Sequence, residues 1–422
     1  VPQTAVSMAL ALKDVWTDDT LQVQFEDKNA PYARLEAVRG VMIGQQAQVP
    51  IQPGRAGSFV SVGAGGGNLN PATNQPVNQA LYTLPYNWFQ IALDTSALAQ
   101  SGSNAQSVVS AKDLEIEGAI ENTKHQITRM IVTNGDGIVA ACDTTASATT
   151  IKLVAAAGEG AAYGYSALVR GWLPAGTTNG QLVDIGTTAN VQALTGASGV
   201  TVQSVVLTPS APTITISGAA IATTLGTHYV YIHNPNSTTA SNPEVNGLRQ
   251  VVGAGAFGGL NPATSGLEWW QGATRDTTTT TFSLDLALGL QRAVMQNSNQ
   301  SFSDIWTGYR QQANFYALLQ NQVQFSGDQN LAAGDVSAPR WNGMQVSAFA
   351  DILDSDWYCL TLKDLLRVTG GWDAPRWASD VEGAGGALRW KQGTTQFVDG
   401  VVYGCQLGAR RRNTHAAATA LK

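Results

Sequence analysis

The sequence predicts an α+β protein organised around one long helix, with an all-β segment inserted after it. Three observations point there. Between Asn104 and Val132, the apolar residues Val109, Ile116, Ile120, Ile127 and Ile131 recur at steps of seven and four, the spacing of a single helical stripe. From 138 to 250 charge nearly vanishes and short β-branched runs alternate with turn residues. On either side lie strand-like stretches rich in aromatic and β-branched residues.

Residues 1–40 read as an arm. Leu10 to Phe25 holds apolar residues at mixed spacing, broken by Asp14, Asp18 and Asp19, and a short helix is expected around Tyr32–Arg39. Residues 41–94 read as a long hairpin. Val41-Met42-Ile43, Val49-Pro50-Ile51 and Phe59-Val60-Ser61-Val62 run out, and the glycines Gly63 to Gly67 and Asn68-Leu69-Asn70-Pro71 turn the chain. Leu81-Tyr82-Thr83-Leu84 and Trp88 to Leu93 return. Extensions of this length usually serve a function or dock on a partner.

The helix sorts its charges by end, with Asp113, Glu115, Glu117 and Glu121 early and Lys124, His125 and Arg129 late, as its dipole prefers. Asn134-Gly135-Asp136-Gly137 stops it. At about 1.5 Å per residue it would be a spine roughly 40 Å long. Residues 138–250 predict a small barrel or sandwich.

Residues 251–281 look irregular, with a possible strand at Val251-Val252. Ser283 suits the cap of a helix that turns Leu286, Leu290 and Val294 inward. A second helix is expected from Asp304 to Gln322, with Ile305, Tyr309, Ala313, Tyr316 and Leu319 on one face. Strands are expected at Gln322–Phe325, Met344–Phe349, Trp357–Leu362 and Phe397–Leu407, and from Arg410 a loose tail.

A chain of 422 residues has room for two or three compact units. Only 13% of its residues are charged, about half the usual share. Such a surface favours an assembly subunit over a freely diffusing enzyme. The net charge of −6 argues against an electrostatic nucleic-acid binder. Cys142, Cys359 and Cys405 are too few and too far apart for a disulfide framework or a zinc site. No signal-peptide pattern opens the chain, and no apolar run of about 18 residues predicts a membrane span.

Candidate sites are sparse. Gly253-Ala254-Gly255-Ala256-Phe257-Gly258 fits G-x-G-x-x-G, but Gly259 and Pro262 oppose the helix that a dinucleotide site needs, so a flexible loop is the better reading. Asn70-Pro71-Ala72-Thr73 recurs as Asn261-Pro262-Ala263-Thr264, which shared turn chemistry explains. Asp351, Asp354 and Asp356 could hold a hard cation, but a solvated turn between strands is favoured. His125 reads as a solvent-facing helix residue, and His228 and His233 flank a structural strand. No G-x-S-x-G or H-E-x-x-H occurs. Arg410-Arg411-Arg412 could touch nucleic acid or an acidic neighbour, or simply keep a tail end soluble. No catalytic, cofactor-binding or metal-binding residue is expected.

The order of parts, taken with Trp306 to Phe325, Trp341-Asn342-Gly343-Met344-Gln345-Val346, Asp356 to Leu365 and Thr395-Gln396-Phe397-Val398-Asp399-Gly400 to Leu407, resembles the major capsid protein of tailed double-stranded DNA bacteriophages, a fold shared with encapsulin shells. The resemblance covers nearly the whole chain in layout. It implies an arm at 1–40, an extended loop at 41–94 and the spine helix of a peripheral domain at 95–137. It further implies a β-barrel-like insertion at 138–250, an axial domain at 251–380, and closing peripheral strands with a C-terminal tail at 381–422. It also implies pentamers and hexamers of the chain itself, in a virion capsid assembled in the host cytoplasm. Portal, scaffolding and cement proteins would be partners, and double-stranded DNA would be enclosed without sequence-specific binding. Some members weld their loops through a lysine. Residues 41–94 contain none, so no crosslink is expected from this loop. A charged helical leader is missing, so scaffolding would come from a separate protein or from a leader removed before Val1. An encapsulin-like compartment and a β-rich decoration or attachment protein stand as alternatives.

Overall fold

The computed structural model describes residues 30–39, 41–43, 46–52, 78–95, 111–156, 163–177, 180–192, 196–235, 244–276, 280–320, 340–370, 375–377, 389–390 and 396–421, with scattered positions between 59 and 77 and at 159 and 194. The arm before residue 30, the first turns expected of the spine helix and the strand expected at Gln322–Phe325 lie outside the described residues.

The described chain opens with helix α1 (Ala30–Arg34) and strand β1 (Ala37–Arg39). Strands β2 (Val41–Ile43), β3 (Gln46–Ile51) and β4 (Asn78–Thr83) form a three-stranded antiparallel sheet. Two features of this hairpin differ from the expectation. Its base is buried by its own chain: Ala47, Ala80 and Tyr82 lose nearly all exposure, and the Leu81 amide donates to the Gly258 carbonyl at 2.8 Å. Its supposed return strand β5 (Tyr86–Asp94) leaves at Pro85 and joins another sheet.

Helix α2 (Ala111–Val132) has 22 residues, about 33 Å. Ile127 and Ile131 are buried, and Ala119 and Ile120 pack on Ile91 and Leu93 of β5. It ends where Gly135 takes a φ of 65°. A Cβ at Gly135 would lie 2.6 Å from the Val245 carbonyl oxygen, so glycine is required twice over.

The insertion comprises β6 (Ile138–Ala141), β7 (Thr145–Ala148), β8 (Thr150–Lys152), helix α3 (Tyr165–Val169), β9 (Leu182–Gly186), β10 (Val200–Val206), β11 (Thr213–Ile216), β12 (Ile221–Thr223) and β13 (Tyr229–Ile232). Six strands run in the order β6-β13-β9-β10-β11-β8, and β12 pairs with β7 separately. The two outer strands of the six meet at a single bridge, Cys142 to Leu153, and no closed barrel forms among the described residues.

Helix α4 (Leu248–Val252) occupies the place where a strand at Val251-Val252 is expected. Leu248, Val251 and Val252 are buried at i, i+3 and i+4, a helical pattern too short to stand out in sequence. Strand β14 (Ala273–Asp276) and helix α5 (Leu284–Ser298) follow, and Ser283 caps α5 by accepting the Leu286 amide at 3.2 Å. The single helix expected from 304 is instead strand β15 (Asp304–Thr307) and helix α6 (Tyr309–Gln320). Gly308 separates them, pressed so close to Asp354 that a Cβ would sit 2.6 Å from its Cα.

Strands β16 (Arg340–Trp341), β17 (Met344–Ala348), β18 (Trp357–Leu360), β19 (Leu365–Thr369), β20 (Arg376–Trp377), β21 (Arg389–Trp390), β22 (Gln396–Ala409) and β23 (Ala416–Thr419) complete the chain. They build two sheets. In the ribbon sheet, β22 pairs with β5 over its first nine residues and with β19 over its last five, and β1 adds to β19. The mixed sheet runs β14-β23-β18-β15-β17-β16. β19 and β20, from within 251–380, belong to the ribbon sheet, while β23 returns to the middle of the mixed sheet. The segment after Arg410 is not a loose tail: β23 pairs with β14 and β18, and the Leu421 amide donates to Ser355 at 2.8 Å.

The mixed sheet is buried on both faces. Ile305, Trp357, Cys359, Ala416 and Ala418 face a core shared with α5 and α6, whereas Trp306, Tyr358, Leu360 and Ala417 face the main core. Strands covered on both sides read as unbroken apolar runs, and β18, Trp357-Tyr358-Cys359-Leu360, is one.

Glycines set the approach of β22 to its neighbours. Gly400, Gly404 and Gly408 recur every four residues along one face, and Trp88, Tyr86 and Tyr82 lie against them in turn. Aromatic rings laid over strand glycines restore the contact that the missing side chain gives up. Tyr82 is further fixed because its hydroxyl donates to the Ala409 carbonyl at 2.9 Å and accepts the Ala409 amide at 3.1 Å. A Cβ on Gly408 would stand 3.0 Å from the Tyr82 ring, and one on Gly404 2.8 Å from Tyr86. Tyr86 is half exposed and can swing aside; Tyr82 cannot. Gly408→Ala is expected to cost about 1–3 kcal/mol by overpacking, and Gly404→Ala clearly less, despite its shorter contact. Denaturant unfolding of the two variants compares them, and equal costs would refute this account.

Candidate functional site

Arg412 sits in the turn between β22 and β23, fully buried. Its Nε donates to the Val251 carbonyl at 2.7 Å, Nη1 to Gly255 at 2.9 Å and Trp270 at 2.8 Å, and Nη2 to Gln250 at 2.8 Å and to Gly253. All five guanidinium N–H groups therefore have carbonyl partners. Phe257 and Trp270 stack at 5.1 and 5.9 Å. Burial pulls its pKa down to about 10. Of the basic run, Arg410 and Arg411 remain at the surface, and Arg411 reaches the buried Asp364 at 3.0 Å. The reading of three free tail charges is thus wrong for Arg412, which is a structural rivet.

The same contacts dispose of the glycine motif. Gly253 to Gly258 follows α4 rather than a strand, and no helix opens after it. The loop turns its carbonyls inward onto a cation, whereas a phosphate cradle presents N–H groups.

The aspartates are not a solvated turn either. Asp351 and Asp356 are buried. Asp356 receives Arg249 through Nε at 3.0 Å and Nη2 at 2.9 Å, the Tyr358 hydroxyl at 2.8 Å and the Ser355 hydroxyl at 3.2 Å. Protein donors fill its lone pairs, and no group of metal-ligating side chains occurs among the described residues. Nearby, Arg170 lies over the rings of Tyr163 and Trp172, which pack edge-to-face on each other, and donates to the Ile352 carbonyl at 3.1 Å. This ties the insertion to the turn that carries the aspartates.

His415 is buried, and its Nδ1 accepts the Thr361 amide at 3.2 Å. Burial holds its pKa down to about 4; the Asp364 charge and a hydrogen bond with the Arg411 backbone oppose that shift, and the Arg412 and Arg411 charges add to it. His228 accepts the Thr224 amide at 2.9 Å, and His233 faces Asp184 at 2.8 Å. His125 is half-buried on α2. Burial raises each cysteine thiol to about 12, so none is a ready nucleophile.

What remains is surface. Trp88 is 64% exposed, and Tyr86, Trp269, Trp390, Tyr309, Leu288 and Met295 are also open. A cleft of about 720 Å³ between α5 and the β16–β17 turn is lined by Leu288, Gln291, Arg292, Met295, Gln296, Trp341 and Asn342. Aromatic, Met and Arg side chains with few other charges match the make-up of protein–protein contacts. Sequence pattern alone identifies β5 as aromatic-rich but does not reveal which of its rings stay uncovered.

No known sequence family and no curated protein matches the chain. Solved structures do. The chain is similar to the subunit in the cyanophage A-1(L) capsid asymmetric unit, with a TM-score of 0.55 at 11% identity over 98% of this chain and 99% of that one. The capsid of a native GTA particle aligns over 100% of both chains at 6% identity and a TM-score of 0.49. The holo-SrpI encapsulin of Synechococcus elongatus aligns over 100% of this chain and 96% of its own at 9% identity and 0.47. The chain thus has the fold of a tailed-phage capsid subunit.

Two outcomes are expected at the junction. Arg412→Lys supplies three donors for five carbonyls and should cost about 2–4 kcal/mol in denaturant unfolding, because two buried acceptors are left unpaired. Wild-type stability below neutral pH should also fall through His415. Its folded pKa of about 4 lies below the ordinary histidine value of 6.5, so the unfolded chain binds the extra proton. The contribution is complete above about 6.5 and is lost as pH falls towards 4, roughly 3 kcal/mol in all. His415→Gln takes up no proton and should lose less stability over that window. Parallel pH-stability curves for the two chains would contradict this.

Proposed function

We propose that the chain is the major structural subunit of an icosahedral shell, assembling as pentamers and hexamers of itself around double-stranded DNA. The observation that carries this is the end-to-end correspondence with the cyanophage capsid subunit, which leaves neither chain with a large unmatched part. In this reading the hairpin β2–β4 is the base of an extended loop and α2 the spine of a peripheral domain with the ribbon sheet. The mixed sheet with α5 and α6 is the axial domain, and 138–250 is an insertion domain.

The physical chemistry supports the same role. Buried thiols and an inward-facing glycine loop leave little for catalysis. Low charge and open aromatic side chains favour repeated contacts, and contacts of one kind that close by rotation generate rings. Apolar area covered in those contacts contributes roughly 25 cal/mol per Å². A net charge of −6 keeps the subunit from gripping the DNA it encloses, which suits enclosure without sequence-specific binding. Portal, scaffolding and cement proteins would be separate partners, and the lack of lysine in 41–94 means that the loop starts no lysine crosslink.

Negative-stain microscopy of the expressed protein tests the reading. Closed shells or capsomer rings are expected, and nucleic-acid absorbance in particles from the native source separates a genome container from a protein-cargo compartment. Monodisperse monomers under every assembly condition would overturn it.

A further inference from the structure

Helix α5 carries two apolar faces. Ala287, Leu290 and Val294 point into the core, while Leu288 (46% exposed) and Met295 (50% exposed) point out, seven residues apart on one stripe. Together with Trp341 they line the 720 Å³ cleft, whose one charged lining residue is Arg292. Arg292 is exposed and has no ion-pair partner among the described residues. The cleft thus sets Leu288, Met295 and Trp341 beside the neutral polar Gln291, Gln296 and Asn342 and a single positive charge.

The same chain presents a matching knob. The turn 264–270 projects Trp269, 55% exposed, directly beside Glu268. The Glu268 carboxylate accepts the Gly266 amide at 3.0 Å through both oxygens, and hydrogen bonds from its own backbone amide and from that of Gly266 hold its pKa below the usual value. No cation faces it among the described residues. Among the aromatics exposed within the described residues, Phe59, Tyr86, Trp88, Trp269, Tyr309 and Trp390, only Trp269 adjoins an acidic residue in sequence. Trp390 lies between Arg389 and Lys391 and has the wrong sign for a cleft that holds Arg292.

We infer that the cleft on α5 receives Trp269 of a second copy of this chain, with Glu268 of that copy paired to Arg292. The contact is heterologous, knob to hole, so each copy offers one of each and the contacts run round a closed ring. A tryptophan seated in a pocket beside one charge pair is the usual form of an interface anchor. The inference rests on the shell reading and names a contact that would hold neighbouring subunits together.

Charge reversal tests it. Glu268→Arg and Arg292→Glu should each weaken assembly about tenfold, read as the protein concentration at which half the chain sediments as rings or shells, and the double variant should return to within about twofold of wild type. Trp269→Ala should weaken assembly at least tenfold. Mixed one to one with Arg292→Glu/Met295→Glu chains, it should give heterodimers but no rings, since only one pairing survives. Circular dichroism and melting of each variant separate misfolding from lost contact. Single reversals that assemble like wild type, or folded double variants that stay as defective as the singles, overturn the inference and leave the shell reading standing. A wild type that never associates overturns both.

Discussion

Five carbonyl oxygens from a stretch of about twenty residues converge on one guanidinium, and the architecture hangs on that convergence. The segment from α4 to β14 has few backbone ladders of its own. Unpaired carbonyls in its interior would each cost about 1–3 kcal/mol. Arg412 satisfies five at once, from the point where the chain passes from β22 to β23. The ribbon sheet and the mixed sheet are therefore joined by a covalent turn whose side chain also caps α4 and shapes the glycine loop. That loop in turn supports the hairpin base, through the Leu81 amide and the close packing of Tyr82 on Phe257, 5.5 Å between ring centroids.

Around this rivet the polar groups form a graded set. The Arg249–Asp356 pair holds the chain just before β18, and the Arg411–Asp364–Thr414 contacts hold it just after. Arg129 with Glu244, 2.6 Å apart, anchors the end of the spine helix to the segment that leaves the insertion. A buried ion pair is weak evidence for added stability, because desolvation offsets much of its attraction. Its value here is in fixing register: each pair joins segments far apart in sequence where slippage would uncover large apolar faces.

The surface obeys a different logic. A freely diffusing protein hides its aromatic rings or surrounds them with charge. Here Trp88 and Tyr86 lie over Gly400 and Gly404 with their outer faces open, and α5 offers apolar side chains on its solvent side. With 13% charged residues there is little to keep such patches apart in solution. Such a surface agrees with the proposal that further copies of the chain cover it.

Sequence alone determined the parts whose signal is local. The stripe of Ile127 and Ile131, the stop at Gly135, the cap at Ser283 and the alternating runs of the insertion each follow from spacing or from one residue's backbone preference, and the order of those parts was enough to suggest the fold. It failed where the deciding partner is distant. Nothing near Arg412 marks it as buried, because its five acceptors lie more than 140 residues away. Nothing near Asp356 announces Arg249, 107 positions before it. Ile305-Trp306 fits a helical stripe as well as a strand covered on both faces, and only pairing with β17 and β18 selects the strand. The C-terminal alanines look like a tail until β14 and β18 close on them. Periodicity reports which face of an element is apolar; what lies against that face is decided by tertiary contacts, since burial energy depends on the neighbour and not on the segment.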